Sequence, residues 1–564
     1  MNALRKLVLV LACAALALAP ARGLAQSARG EHGAVAAVNV LASRSGVEAL
    51  KRGGNAVDAA VAAALTLGVV NPFHSGIGGG CFILLCQPEG RILAIDGREA
   101  APAAATRDMF LRDGKADPAL SQSGALAAGV PGELAACDLA LRRAGKLSLR
   151  EHLLAAAKIA ADGFRIDKHS AAVFGEAAPA LAKFPNAAAI FLRPDGAPWR
   201  EGDLLREPEL AATYRAIAAN GLAWFYDGPF ARDTEDWMRH NGGLLTAADF
   251  KNYRAVLRDP ISTDYRGYTV VSFPPPSSGG VHLLEMLNIL ETRDLSPPAL
   301  DPIDRVHFIA EAMKLAFADR AFWLGDPAFA PVPRGLIDKS YAHSLAARIS
   351  MDHVIDVPAH GQPPNAASDI FPQHTTHISA ADDTGCWVAM TATINTYFGS
   401  KVVIPGTGVV LNNEMDDFSA QPGVTNYFGL IGAEANAVAP GKRPLSSMCP
   451  TLVLQGRDPI LSLGAAGGPT IINQTLLNII GVLDLHRDLQ SAINATKFHH
   501  QWRPDVLKIE QGLDDAIIIS LKQKGHHIEI VHQLGGAQAV ARDPSGHGFT
   551  AASDPREGGQ AAAW

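Results

Sequence analysis

Apolar and polar positions along the chain fall into several periods, and the changes of period mark the elements. Residues 34–70 are rich in Ala and Val, and GGNAVDAAVAAALTLGVV predicts a helix entered after Gly53-Gly54. NPFHSGIGGG is a glycine-dense turn, and CFILLC and RILAID, joined by QPEG, predict a strand hairpin. From about 120 to 255 helical spacing dominates, as in LREHLLAAAKIAADGF and ELAATYRAIAANG. PPPSSGG at 274–280 marks a loop, and VHLLEMLNILET behind it reads as an amphipathic helix. Residues 352–374 are rich in Pro, polar and small residues without any period, the clearest linker in the chain. Beyond it the pattern turns to strands. THISAADD and CWVAMTATIN flank the turn DDTG, and TLVLQGRDPILSLG is a second hairpin. PTIINQTLLNIIGVLDL predicts a helix after Gly467-Gly468, with Pro469 in its first turn. Strands bracketed by helices on a mixed sheet predict a layered α/β sandwich.

Composition narrows the class. The chain has 564 residues, 48% hydrophobic and 19% charged, which excludes a disordered protein and allows a large core without disulfide or metal staples. The net charge of −7 carries no basic footprint for nucleic acid. Residues 1–25 place Arg5 and Lys6 before an apolar run, Leu7 to Ala19, and end on Gly23-Leu24-Ala25. That is the pattern of a secretory signal, pointing to a periplasmic or secreted protein. The alternatives are an uncleaved N-terminal anchor, or a lipoprotein built on Cys13, which sits inside the apolar run rather than after it. Cleavage removes three basic residues, leaving 46 against 56 acidic, a net charge of −10. No later stretch reaches the roughly 18 apolar residues that a membrane span needs. Cys81, Cys86, Cys137, Cys386 and Cys449 then remain, an odd number in no zinc or redox spacing, and are expected as free, mostly buried thiols.

Most chemical motifs are missing. GIGGGC at 76–81 lacks the third glycine of a dinucleotide loop and reads as a tight turn. There is no GxSxG and no HExxH. Histidines at 499–500, 526–527 and 532 have no standard ligand spacing, so neither metal nor cofactor is expected. HTTHIS at 374–379 differs because a structureless linker runs straight into two threonines that open a strand. Threonine there is, by itself, only a good strand former. A threonine freed at a new N-terminus carries its own base, however, since an α-amino group titrates near pH 7.7–8.0.

Longer motifs add a resemblance. THISAADDTGCWVAMTATINTYFGS, TGVVLNNEMDDFS, KRPLSSMCPT and GAAGG, with GGNAVDAAVAAALTLGVVNPFHSGIGGG, IDGREAAP, VPGELAA, YRGYTVVSFPPPSSGG and EAMKLAFADRAFWLGDP, resemble the γ-glutamyltransferase (glutathione hydrolase) family in order along nearly the whole mature chain. The resemblance implies an N-terminal-nucleophile hydrolase with a four-layer αββα sandwich. It implies a precursor that cleaves itself between His374 and Thr375 into a large subunit, 26–374, and a small one, 375–564, which stay together as a heterodimer. Thr375 is then the nucleophile, forming a γ-glutamyl ester that water or an amino-acid or dipeptide amine resolves. Thr393 would orient it, and Gly467 and Gly468 would form the oxyanion hole. Arg98 would pair with the donor's α-carboxylate, shared by Ser446 and Ser447, and Asn395, Glu414 and Asp417 would receive its α-ammonium. Read alone, NNEMDD is a solvated acidic turn and SS a loop.

Departures are few. The lid loop at 421–441 is present, but Phe428 stands where many bacterial members carry a tyrosine, with Tyr427 one residue away as a substitute. Cys449 stands where serine is common and is expected to be a packing change. The rivals are a cephalosporin or glutaryl acylase on the same scaffold, and a non-catalytic secreted binding protein.

Overall fold

Two seven-stranded sheets lie face to face, and the alternation of side chains along their strands explains the layering. The computed structural model describes residues 27–366 and 377–564. The segment 1–25 and the His374–Thr375 junction therefore lie outside the described residues. One sheet runs in the order 560–563, 33–37, 377–382, 387–393, 80–86, 92–97 and 256–258. The other runs 27–30, 549–553, 536–542, 458–466, 451–455, 268–272 and 261–265. Between the sheets, Leu84, Ala94, Trp387 and Ala389 meet Leu452, Leu454, Val540 and Phe549. The alternate residues Ile83, Leu85, Val388 and Met390 face outward onto the helix Ala56–Val70. Val453, Leu461, Leu463 and Ala539 face the other way, onto the helices Ser278–Leu290, Pro302–Trp323 and Thr470–Leu483. The result is the αββα sandwich.

The three sequence-predicted hairpins form, pairing 80–86 with 92–97, 377–382 with 387–393, and 451–455 with 458–466. The expected mixed sheet does not. Every ladder of the two large sheets is antiparallel. Short turns such as QPEG and DDTG admit only antiparallel partners. Among the described residues a parallel ladder occurs in the small third sheet, between Leu507–Glu510 and Ile528–Val531.

The helix Ala56–Val70 starts where Asn55 Oδ1 accepts from the Val57 and Asp58 N–H groups while Asp58 accepts from the Asn55 N–H, a reciprocal cap. All of its residues are buried, which is why it is apolar on every side. Ser278–Leu290 corrects the amphipathic expectation, since it too is buried throughout. Its polar members sit inside, with His282 Nδ1 2.6 Å from Glu285 Oε2. Pro469 caps the helix at 470–483 rather than entering its first turn. The linker is irregular but docked over its described part: Trp502 Nε1 donates to the Val357 carbonyl at 2.7 Å and Trp323 Nε1 to Gly361 at 3.3 Å. The five cysteines at 81, 86, 137, 386 and 449 are free and buried, as expected.

Candidate active site

The central strand of each sheet ends at the same place. Trp387–Thr393 leads into Asn395, and Asp458–Ala466 leads into Gly467-Gly468, with a cavity of about 510 Å3 between them. Every sequence-predicted site residue among the described residues lines it: Arg98, Thr393, Asn395, Glu414, Asp417, Ser446, Ser447, Gly467 and Gly468. His374 and Thr375 lie outside them. The first described residue beyond, His377, pairs through its backbone with Met390, three positions before Thr393 on the neighbouring strand.

The two glycines adopt φ of +123° and +59°, and a Cβ on Gly468 would lie 2.5 Å from the Phe428 ring. Only glycine suits both demands. The turn is held by Thr470 Oγ1 donating to the Gly467 carbonyl at 2.8 Å and Gln474 Nε2 donating to the Ala466 carbonyl at 2.9 Å. It stands at the N-terminus of the helix Thr470–Leu483, whose dipole favours negative charge. Across the cavity, Thr393 Oγ1 accepts from the Asn395 N–H at 2.7 Å, and Asn395, at φ +77°, donates to the Asn413 carbonyl at 3.0 Å. The GIGGG turn is tight for a reason: a Cβ on Gly79 would meet the Thr393 carbonyl oxygen at 2.0 Å.

Charge is concentrated at the floor. Arg98 is buried, with Nη1 2.8 Å from Glu414 and 3.6 Å from Glu99, and Nη2 2.6 Å from Asp417. Burial alone would lower its pKa, but Glu414, Asp417 and Glu99 outweigh that and raise it. Burial pushes Glu99 up to about 8 and Glu414 well above the usual carboxylate range, with Arg98 opposing in both. Beyond these ion pairs through Oε2, the buried Oε1 of each has no hydrogen-bond partner. The acidic run at 414–417 is thus a mostly buried turn, not a solvated one. Ser446 and Ser447 are set by the PPPSSGG loop: the Ser278 N–H donates to the Ser446 carbonyl and the Ser446 N–H to the Pro276 carbonyl, each at 2.8 Å. A Cβ on Gly279 would meet the Met448 carbonyl at 2.2 Å, so that loop also needs its glycine.

The lid places Phe428 on Gly468, while Tyr427 stays half-exposed at the rim, edge-on to it with centroids 5.2 Å apart. Tyr427 lines the cavity at its rim, beside rather than in place of Phe428. Gln501 Nε2 donates to the Gly429 carbonyl at 3.0 Å and Asn426 Nδ2 to Asp417 at 3.3 Å, tying the lid to the site. Cys449 is buried 3.9 Å from Ser272 Oγ and 3.8 Å from Thr451 Oγ1, behind the cavity wall. Sequence reasoning missed Arg320, whose Nη2 donates to Ser447 Oγ at 3.1 Å and whose pKa burial lowers to about 10. It also missed Glu557, a cavity-lining carboxyl that burial, then Asp554, pushes up to about 7. Arg320 lies inside EAMKLAFADRAFWLGDP, but no spacing there distinguishes it from a solvated arginine.

A family model described as Gamma-glutamyltranspeptidase matches residues 42–564. The glutathione hydrolase proenzyme of Escherichia coli (strain K12) is 43% identical over 533 residues, covering 94% of this chain and 91% of that protein. The acylase ACY 1 proenzyme of Pseudomonas sp. (strain SE83) is 38% identical, covering 92% of this chain and 91% of its own. Among solved structures, a cephalosporin acylase from Bacillus halodurans superposes with a TM-score of 0.85 at 28% identity, covering 97% of this chain and 98% of that one.

Proposed function

The chain belongs to the gamma-glutamyltranspeptidase family and is an enzyme of γ-glutamyl hydrolysis and transfer, and we propose that it works through a Thr375 ester formed after cleavage between His374 and Thr375. The observation that carries this reading is the unequal charge around Arg98: one guanidinium, two carboxylates and two serine hydroxyls on one cavity floor, with a third carboxylate, Glu99, buried behind it. Such a floor suits a zwitterion. The donor's α-carboxylate takes Arg98 with Ser446 and Ser447, and its α-ammonium takes Glu414, Asp417 and Asn395. Burial raises the Glu414 pKa, so an arriving ammonium stabilises a carboxylate charge that burial disfavours.

Maturation begins with Thr375 Oγ attacking the His374 carbonyl; the acyl group moves from nitrogen to oxygen and water hydrolyses the ester. That leaves 26–374 and 375–564 as two subunits of one folded unit. In turnover the new α-amine takes the Thr375 hydroxyl proton as oxygen attacks the γ-glutamyl carbonyl, then delivers it to the leaving amine. N–H groups at Gly467-Gly468 receive the oxyanion, a contribution of roughly 3 kcal/mol per donor. Thr393, on the strand beside His377–Asp382, orients the nucleophile. Water resolves the ester as hydrolysis and an amino-acid or dipeptide amine as transfer. Residues 1–25 support export to the periplasm or beyond. No helix among the described residues is long and apolar enough to cross a membrane.

An acylase for donors without an α-amine is the second reading, favoured by the 0.85 superposition. Comparing kcat/KM for γ-glutamyl and glutaryl p-nitroanilides separates the two. The expected preference for the γ-glutamyl compound is roughly 10²-fold or more, because a site built for a charged group rejects the analogue lacking it. Equal or reversed rates would overturn the assignment.

A further inference from the structure

The helix Pro302–Trp323 carries His307 and Glu311 one turn apart, and opposite them lies His526, 219 residues from His307 in sequence. All three are buried, and none lines the catalytic cavity. His307 Nδ1 and His526 Nε2 are 2.8 Å apart. With a Glu311 oxygen, the three atoms all lie within 4.8 Å of one another. Outer hydrogen bonds aim them inward. His307 Nε2 donates to the Ser350 carbonyl at 2.7 Å, which fixes the tautomer and leaves the Nδ1 lone pair facing His526. Glu311 Oε2 accepts from the Ile355 N–H at 2.8 Å, while buried Oε1 has no hydrogen-bond partner. Lys314 Nζ stands 3.8 Å from that oxygen but is engaged by Asp505 at 2.9 Å and the Ile355 carbonyl at 3.0 Å.

A hydrogen bond between the rings satisfies the two histidines and leaves Glu311 Oε1 without a hydrogen bond, facing only the Lys314 ammonium 3.8 Å away. One divalent ion accounts for all three atoms. We propose that His307, Glu311 and His526 form a site for a borderline divalent transition ion such as Zn2+, held by two imidazoles and one carboxylate with water completing its shell. The donor set is that of such ions, and an imidazole whose other nitrogen donates to a carbonyl is a usual outer-shell arrangement. Zinc–nitrogen bonds of about 2.0–2.1 Å in tetrahedral geometry put the two nitrogens about 3.3 Å apart, so the rings part by roughly half an ångström. The ligands come from both sides of the His374–Thr375 junction. An ion here therefore ties the two subunits together, a consequence that rests on the proposed cleavage, whereas binding does not.

Chelator-stripped full-length protein and the variants His526→Ala and Glu311→Gln are titrated with ZnCl2 by calorimetry, and melting is followed with and without zinc. The expected result is one zinc per chain and a raised Tm. His526→Ala loses both, and Glu311→Gln binds more weakly by at least the roughly 10–100-fold that loss of an outer-shell partner costs. Melting of the zinc-free variants reports whether each is folded, and Glu311→Gln serves if His526→Ala is not. No stoichiometric uptake overturns the proposal. So does uptake unchanged in the folded variants, as exposed His527 and His532 would give.

Discussion

Asp96 and Arg98 are two residues apart, and each centres a buried ion cluster of opposite design. Asp96 has two guanidiniums, with Arg258 Nε donating at 2.9 Å and Arg443 pairing with its other oxygen, which also accepts from the Arg98 N–H at 2.7 Å. Both oxygens are filled, and although burial opposes it, the arginines lower the Asp96 pKa. Arg98 has three carboxylates, of which two keep unpaired oxygens. Both oxygens of Asp96 are paired and its cluster lies off the cavity; the Arg98 cluster keeps unpaired carboxylate oxygens, and Arg98, Glu414 and Asp417 line the cavity. A filled cluster holds the fold, whereas an unfilled one has room for a ligand's charges.

Substitution separates these roles most strongly. Arg98→Gln is expected to lower kcat/KM for a γ-glutamyl anilide by roughly 10²–10⁴-fold. Its loss of Tm is expected to be smaller than that of Asp96→Asn, because burial already pushes Glu99 and Glu414 toward their neutral forms and Asp417 is the carboxylate left without its partner. Asp96→Asn strands two guanidiniums and costs about 3–5 kcal/mol of stability, read as a large fall in Tm. If both variants lose Tm and activity alike, the distinction fails. Gly468→Ala comes next: it forces a Cβ into Phe428 at a left-handed backbone position, and kcat is expected to fall by roughly 10²-fold through the displaced oxyanion donors. Unchanged kcat there would remove this turn from the mechanism.

A gentler test uses pH on the ligand-free protein. Glu99 has a pKa of about 8 when folded against 4.5 as a model group, so between those values the folded state holds a proton that the unfolded state has released. Stability therefore falls as pH rises across that window, and Glu99→Gln is expected to flatten the decline in Tm between about pH 5 and 8. Asp96 works in reverse: its contribution is present above the ordinary carboxylate pKa and is lost as pH falls through the lowered value. Glu99→Gln should leave the acid limb untouched. The smallest effect is expected from Phe428→Tyr, which adds one hydroxyl at the lid. A change of less than tenfold in the ratio of transfer to hydrolysis follows from about 1 kcal/mol per hydrogen bond.

Much of this was legible in the chain. Hairpins such as CFILLC–RILAID betray themselves by apolar runs around short turns, and the motifs carrying Arg98, Thr393 and Gly467-Gly468 brought the cavity together before any distance was known. What escaped was decided by neighbours. Ser278–Leu290 looked amphipathic because it holds His282 and Glu285, which pair with each other inside. Antiparallel order throughout the large sheets depends on which hairpins stack beside which. Arg320 acquires its place only through Ser447, and His307 meets His526 only across the tertiary fold.

The most direct measurement is the intact mass and N-terminal sequence of the purified protein beside Thr375→Ala. The expected result is two fragments, the smaller beginning at Thr375, from the native chain and one uncleaved chain from the variant. A native protein that remains a single active chain would contradict the N-terminal nucleophile, since Thr375 would then have no free amine.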